Sequence, residues 1–239
     1  METSNLKSHM RQKDTHKKKR SLELCCGYAS FSQVCKTEFD FDECVTVDNS
    51  DHFNPTHCID VRNVDFLKQR YPVDFFDIIW ASPPCQLYSN CRKTATTPAN
   101  LERDADPIVL ACLHLIQHFR PRLWYLENPF TGQMRHRRFM RGLYNVRVDY
   151  CSYGLNMQKK TVIFTNDTCF VPKQCAGIRN CHAMIGRKHI GTLTGRYQWK
   201  GRWSSKVEKA RDTARIPMQL VREILCDVKQ KEQEEDSHV

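Results

Sequence analysis

No stretch of this 239-residue chain approaches the ~20 consecutive apolar residues that a helix needs to cross a bilayer. A helical membrane protein is therefore excluded at the level of sequence. Nor does an apolar segment follow the basic start, because Met1 to Arg20 is polar and charged; this predicts that there is no secretory leader. The thirteen cysteines do not form an even set. In a long chain without a leader they predict reduced thiols in a soluble, intracellular protein, not a disulfide scaffold. No internal repeat is present. What remains is an ordinary apolar fraction in a chain long enough for one sizeable domain with a small appendage.

Charge is the first positive feature. Thirty-seven Lys and Arg against 27 Asp and Glu leave a formal charge of +10. A balance of this size favours a polyanionic partner, nucleic acid first and an anionic membrane surface second. A soluble protein that happens to be basic fits it equally well. Residues 1–20 end in Lys17-Lys18-Lys19-Arg20 and hold too little apolar surface to bury a face. They read as a disordered tail, with a nucleic-acid arm or a nuclear-localisation signal in a eukaryotic host as functional alternatives. Lys229 to Val239 reads as a second charged tail that frays.

Between the tails, apolar runs alternate with helical patterns. Strands are expected at Ser21–Cys26, Cys44–Asp48, Phe75–Ala81, Leu123–Glu127, Val146–Tyr150 and Thr161–Thr165. A helix is expected over Asp106–Phe119, opened by a capping acid and a first-turn proline. Another is expected over Pro217–Val228, where Leu220, Val221, Ile224, Leu225 and Val228 keep helical spacing. The alternation predicts an α/β fold with a mainly parallel sheet flanked by helices. The expected units are a tail at 1–20, a central domain at 21–165, an irregular insert at 166–205, a returning helical segment at 206–228 and a tail at 229–239. Parallel sheets bind ligands at the carboxyl ends of their strands, so the residues that follow each apolar run matter most.

The first strand runs into Glu23-Leu24-Cys25-Cys26-Gly27-Tyr28-Ala29-Ser30-Phe31. Gly27 suits a tight strand-to-helix turn that lets a nucleotide-like cofactor approach the main chain. The second strand ends in Asp48, about twenty residues on, where a carboxylate can accept from two ribose hydroxyls. Asp60 could accept from an adenine amino group. The third strand is followed by Ser82-Pro83-Pro84-Cys85-Gln86. Two prolines fix the loop and supply no N–H donors, and the loop presents a thiol beside the expected cofactor site, as a nucleophile requires. The fourth strand ends in Glu127-Asn128-Pro129. Burying that acid would raise its pKa and suit it to donate a proton. A carboxylate satisfied by a local amide fits the residue equally well.

In this order the segments resemble the cytosine-C5 DNA methyltransferase family. Glu23 to Ser32 is similar to its S-adenosylmethionine-binding first motif, and Ser82-Pro83-Pro84-Cys85-Gln86 to its Pro-Cys-Gln nucleophile motif. Glu127-Asn128 resembles the catalytic Glu-Asn pair, Gln158-Lys159-Lys160 the Gln-x-Arg motif, and Ile216-Pro217 with Leu220 the start of the last helix. The likeness runs from about Ser21 to Leu225, and the short intervals are similar to those of compact viral or phage members. It implies a Rossmann-like S-adenosylmethionine-dependent methyltransferase fold. It also implies cofactor contacts from Leu24, Cys25, Gly27, Tyr28, Ser30, Phe31, Asp48, Asp60 and Pro83, and catalytic roles for Cys85, Glu127, Asn128, Gln158 and Lys160. Four positions depart from the pattern. Ala29 replaces a second glycine, Pro129 a valine, and Lys160 and Val162 two arginines; Lys cannot make the forked contact of Arg.

The resemblance implies methyl transfer to C5 of a cytosine flipped out of double-stranded DNA. Cys85 would add at C6, Glu127 would protonate or hydrogen-bond N3, and Asn128 would hold the loop. Residues 166–205 would form a short target-recognition region. There Arg187, Lys188, Arg196, Lys200 and Arg202, together with Lys160, would meet phosphates. Tyr197, Trp199 and Trp203 would stack or wedge, or form a small local core. A monomer is expected. Cys169, Cys175, Cys181 and His182 invite a zinc reading, but no Cys-x-x-Cys pair is present and ordinary thiols without metal are expected. Two alternatives stay open. One is an RNA cytosine methyltransferase, whose branch carries a Cys-Phe-Thr run that is absent here. The other is a decayed nucleic-acid-binding relative.

Overall fold

The computed structural model describes residues 18–89, 100–178, 180–190, 198–199, 202–203 and 215–236. In chain order its elements are β1 (Arg20–Leu24), α1 (Ser30–Glu38), β2 (Glu43–Asp48), β3 (His57–Cys58), α2 (Val64–Arg70) and β4 (Ile78–Ala81). Next come α3 (Leu101–Asp104), α4 (Asp106–Phe119), β5 (Leu123–Pro129), β6 (Asn145–Asp149) and β7 (Lys160–Thr165). Two small hairpins follow, β8 (Met184–Ile185) with β9 (Lys188–His189) and β10 (Gln198–Trp199) with β11 (Arg202–Trp203), and then α5 (Met218–Asp236).

Seven strands form one sheet in the order β3-β2-β1-β4-β5-β7-β6. The first five are parallel. β7 runs antiparallel to both β5 and β6. The chain moves outward from β1 to β3, then crosses back to β4 on the other side of β1. That reversal makes the carboxyl ends of β1 and β4 the switch point of a Rossmann-like doubly wound sheet, where ligands bind.

Helices cover both faces, so the central strand β4, Ile78-Ile79-Trp80-Ala81, is buried on both. On one face Leu22, Leu24, Ile79, Val109, Leu115 and Phe119 pack with α2 and α4. On the other, Ile78, Trp80, Tyr125 and Ile163 pack with α1 and α5. Here Trp80 lies between Phe31 and Tyr125, stacked at 5.3 and 5.6 Å. Leu220, Val221, Ile224 and Leu225 supply the buried side of α5, and Arg222 on the same helix ion-pairs with Glu38 of α1.

The expected strands are all present, with shifted ends. β4 starts at Ile78, not Phe75, because Asp77 closes the register: its backbone N–H donates to Arg20 O and its carboxylate accepts from Arg20 N–H. Phe76 is diverted into an aromatic cluster with Tyr71 and Phe119. Asp106 is not the cap of α4. It is the first helical residue, and its buried carboxylate accepts from Tyr88 Oη and Arg137. The last helix continues to Asp236, past Val228 where the apolar spacing stops. Residues 1–17, Arg196, Tyr197 and Lys200 lie outside the described residues, as do the side chains of Trp199, Arg202 and Trp203.

Candidate functional site

A cavity of about 360 Å³ opens at the carboxyl ends of β1, β2, β4 and β5. Gly27, Ser30, Asp48 and Asp60 line one end, and Pro83, Cys85, Glu127 and Lys159 the other.

The turn after β1 shapes the first end. Cys25, Gly27 and Ala29 all sit in the left-handed region, at φ 53°, 49° and 50°. Such an alternation is easy for glycine and strained for the other two. It aims the Gly27 N–H at Asp48 Oδ2, 2.9 Å away. A Cβ on Gly27 would meet nothing within 4 Å, so the backbone conformation, not crowding, calls for glycine. Asp48 Oδ1 accepts from Ser50 N–H at 3.0 Å. Each oxygen keeps a second lone pair for a ligand hydroxyl. Asp60 ion-pairs with Arg62, which holds its carboxyl below the usual range. Beneath the turn, Glu23 is wholly buried in β1 and accepts from the N–H groups of Phe31 and Ser32. Burial outweighs those bonds and pushes its pKa up to about 7.

Three of the expected cofactor residues do not line the cavity. Leu24 and Phe31 have no exposed surface and belong to the core. Tyr28 lines a neighbouring groove, where its ring meets Arg215 at 4.8 Å, and its edge contact at 5.1 Å is with Phe53, a residue of the cavity wall. Ile59, Val61 and Ile216 take their place in the lining.

The second end is built by adjacent strands. Ala81 of β4 pairs with Leu126 of β5, so the loop after Ala81 and the residue after Leu126 share one rim. Loop 82–86 is tied from three sides. Ser82 N–H donates to Leu24 O, Trp80 Nε1–H donates to Ser82 Oγ, and Asn128 Nδ2–H donates to Pro83 O at 2.9 Å. Cys85 therefore stands on a braced loop beside Glu127. Burial first, and then the Glu127 carboxylate, push its thiol pKa up, while Lys159 pulls it back. Lys159 Nζ lies 3.9 Å from Glu127 Oε1 and 4.6 Å from the centre of the Tyr150 ring. Among the described residues, Glu127 Oε2, Asn128 Oδ1 and Tyr150 Oη are buried with no hydrogen-bond partner. Orphans of this kind are costly unless a ligand satisfies them.

Gln158 and Lys160 do not line this cavity; their neighbour Lys159 does. Side chains alternate along an extended segment, so one residue of Gln158-Lys159-Lys160 faces inward and its neighbours face away. Among the cysteines and histidines of the insert, Cys169 and His182 are exposed and stand outside the thiol–imidazole group that Cys175 and Cys181 form with Cys151 and His189.

Residues 20–131 match the family described as C-5 cytosine-specific DNA methylase. A Frog virus 3 protein named "Probable DNA (cytosine-5)-methyltransferase" is 31% identical over 175 residues, covering 69% of this chain and 78% of its own length. Two solved structures are also similar. The Entamoeba histolytica methyltransferase EhMeth is 14% identical with a TM-score of 0.43, covering 66% of this chain and 55% of its own. The S. pombe Dnmt2 methyltransferase is 14% identical with a TM-score of 0.43, covering 65% and 53%. The chain thus spans about half the length of these solved structures.

Proposed function

The chain belongs to the C-5 cytosine-specific DNA methylase family and is a DNA cytosine-5-methyltransferase, and from that premise we propose that it works through a covalent adduct of Cys85, with S-adenosylmethionine as the methyl donor. The carrying observation is the meeting of Cys85, Glu127 and Lys159 in the cavity that also holds Gly27 and Asp48.

Cytosine C5 is a weak nucleophile. In the proposed reaction the Cys85 thiolate adds to C6, forming the S–C6 bond and turning C5 into an enamine-like carbon. Charge that builds on the ring is met at N3 by Glu127, whose orphaned Oε2 is the atom that suits this contact. S-adenosylmethionine supplies the methyl group from its sulfonium. A base or water then takes the C5 proton, and the S–C6 bond breaks to return Cys85.

Lys159 holds the Glu127 carboxylate before the base is seated and the Cys85 thiolate afterwards. Because the Glu127 carboxylate raises the Cys85 thiol, uptake of a solvent proton by Glu127 against N3 removes that repulsion, and the thiol proton leaves to solvent. The Glu127 proton passes to N3 as the S–C6 bond forms and returns when it breaks. Seating the base thus favours the thiolate as the ring becomes ready for attack. The fit to an adenosyl donor rests on Asp48 at the end of β2 and on the Gly27 turn at the switch point. DNA is the proposed substrate, with the cytosine extruded into the cavity. The exposed Arg187 and Lys188 are suited to phosphate contact.

Methyl transfer from labelled S-adenosylmethionine to duplex DNA tests this. Cys85→Ser and Cys85→Ala should abolish it, and DNA carrying 5-fluorocytosine should trap a covalent adduct, since fluorine cannot leave as the proton does. Labelling of tRNA with none on DNA would overturn the choice of substrate.

A further inference from the structure

The insert presents a small-domain problem. Among the described side chains of 168–190, the buried apolar ones are Phe170 and Ala183. The β8–β9 hairpin pairs only Met184 with His189 and Ile185 with Lys188. A ladder of two pairs with so little core does not hold itself in water. Segments of this kind are stapled by a covalent bridge or a metal.

Four metal-binding side chains meet at its base. One sulfur each from Cys151, Cys175 and Cys181 and one ring nitrogen of His189 lie within 4.8 Å of one another. His189 Nε2 is 3.3 Å from Cys175 Sγ and 3.6 Å from Cys181 Sγ. With Zn–S near 2.3 Å and Zn–N near 2.0–2.1 Å, a tetrahedral ion places sulfur and nitrogen roughly 3.5 Å apart. The two measured separations bracket that value.

The backbone around the four is arranged as a ligand loop. Gly177, in the left-handed region at φ 76°, donates its N–H to Cys175 Sγ at 3.4 Å. Its carbonyl accepts from Cys181 N–H, which turns the chain back toward Cys175. The hairpin then returns His189 to the cluster. Cys175 N–H donates to the buried carboxylate of Asp149, which Arg147 also grips. Cys151 belongs to the turn that follows β6, directly after Tyr150.

We propose that Cys151, Cys175, Cys181 and His189 bind one structural Zn²⁺ as a closed Cys₃His site, fastening the insert to the sheet edge beside the catalytic cavity. Four protein ligands leave no open position, so the ion holds structure and does not activate water. Binding replaces three S–H bonds with Zn–S bonds. Three protons go to solvent, and a site of net charge −1 remains. His189 enters neutral, through Nε2.

The test uses the full chain, produced with zinc supplied and purified under reductant. Elemental analysis should find one zinc per chain, and replacement by Co²⁺ should give the intense visible bands of tetrahedral thiolate cobalt together with sulfur-to-cobalt charge transfer. Cys181→Ser combined with His189→Ala should abolish both signals. Cys169→Ser and His182→Ala, at exposed residues outside the cluster, should leave both intact. The wild-type cobalt spectrum decides the matter even if the double variant fails to fold. A chelator should expose 168–190 to protease without moving the cobalt-free sheet signal in circular dichroism. The proposal is overturned if the reduced chain takes up no zinc and gives no thiolate–cobalt bands. It is equally overturned if the double variant keeps stoichiometric zinc, or if the mass of the native chain shows two hydrogens lost to a disulfide among these cysteines. None of these readouts depends on methyl transfer.

Discussion

Lys159 Nζ lies 3.9 Å from Glu127 Oε1, and both side chains are almost wholly buried. An ion pair withdrawn from water is retained at a cost, and breaking one half of it is more damaging than never having built it.

Lys159→Met should leave Glu127 without its cation and Cys85 without the one influence, besides its own loop, that lowers its pKa. Methyl transfer is expected to fall on the order of 100-fold, as for loss of one group that meets developing charge. Alkylation of Cys85 by iodoacetamide at neutral pH should slow in parallel. Unchanged alkylation would show that Lys159 does not act on the thiol.

Glu127→Gln separates reactivity from catalysis. The carboxylate raises the Cys85 thiol, so its removal should lower the thiol pKa and speed alkylation near pH 7–8, where an unperturbed thiol begins to ionise. Methyl transfer should nevertheless drop at least about 100-fold, because the group proposed to protonate N3 is gone. A variant slower in both assays would contradict the opposing effects.

Glu23 makes stability depend on pH. Its folded pKa of about 7 stands above the ordinary 4.5, so the folded state holds this proton more tightly than the unfolded chain. The contribution is complete below pH 4.5, is lost as pH rises through 7, and is gone above that. A shift of this size corresponds to something on the order of 3 kcal/mol. Denaturant melts at pH 5 and pH 8 should show Glu23→Gln losing much less stability than wild type across that interval.

Ala29 occupies a left-handed position, at φ 50°. Ala29→Gly should be neutral to about 1 kcal/mol stabilising, because relief of strain opposes the greater freedom of the unfolded chain. Ala29→Val should destabilise by more than 1 kcal/mol, since branched side chains tolerate this region worst. Thermal melts of the two variants read the difference. If valine is harmless, the turn does not hold this conformation in solution.

Six of the sheet's seven strands were legible in the sequence because they carry apolar runs closed by Gly, Pro, Asn, Ser or an acid, whereas β3 is only His57–Cys58 and carries no such run. Cys85, Glu127, Asp48 and Gly27 were legible because each stands at the end of such a run or within four residues of it, and strand order gathers them. Lys159 was missed because sequence alone does not tell which residue of a three-residue polar segment faces inward; period-2 alternation about β7 decides it. Leu24 and Phe31 carry the motif but pack into the core, since a motif preserves a turn as well as its contacts. The Cys₃His group escaped because its first ligand, Cys151, belongs to the turn after β6, 24 positions before Cys175. The histidine that joins it is the one a hairpin brings back, not the one adjacent to Cys181.

The register between β4 and β5 divides the molecule's tolerance to change. Every group assigned a task at the cavity's two ends stands at the carboxyl rim, whereas the connections into β4 and β5 turn at the far rim, where Arg120 pairs with Asp74 at the surface. Protein engineers would find their freedom there. A fluorescent reporter or a fused domain spliced in near Pro72–Asp74 would sit a full strand length from the thiol, so the enzyme could be tracked or tethered without retuning its chemistry.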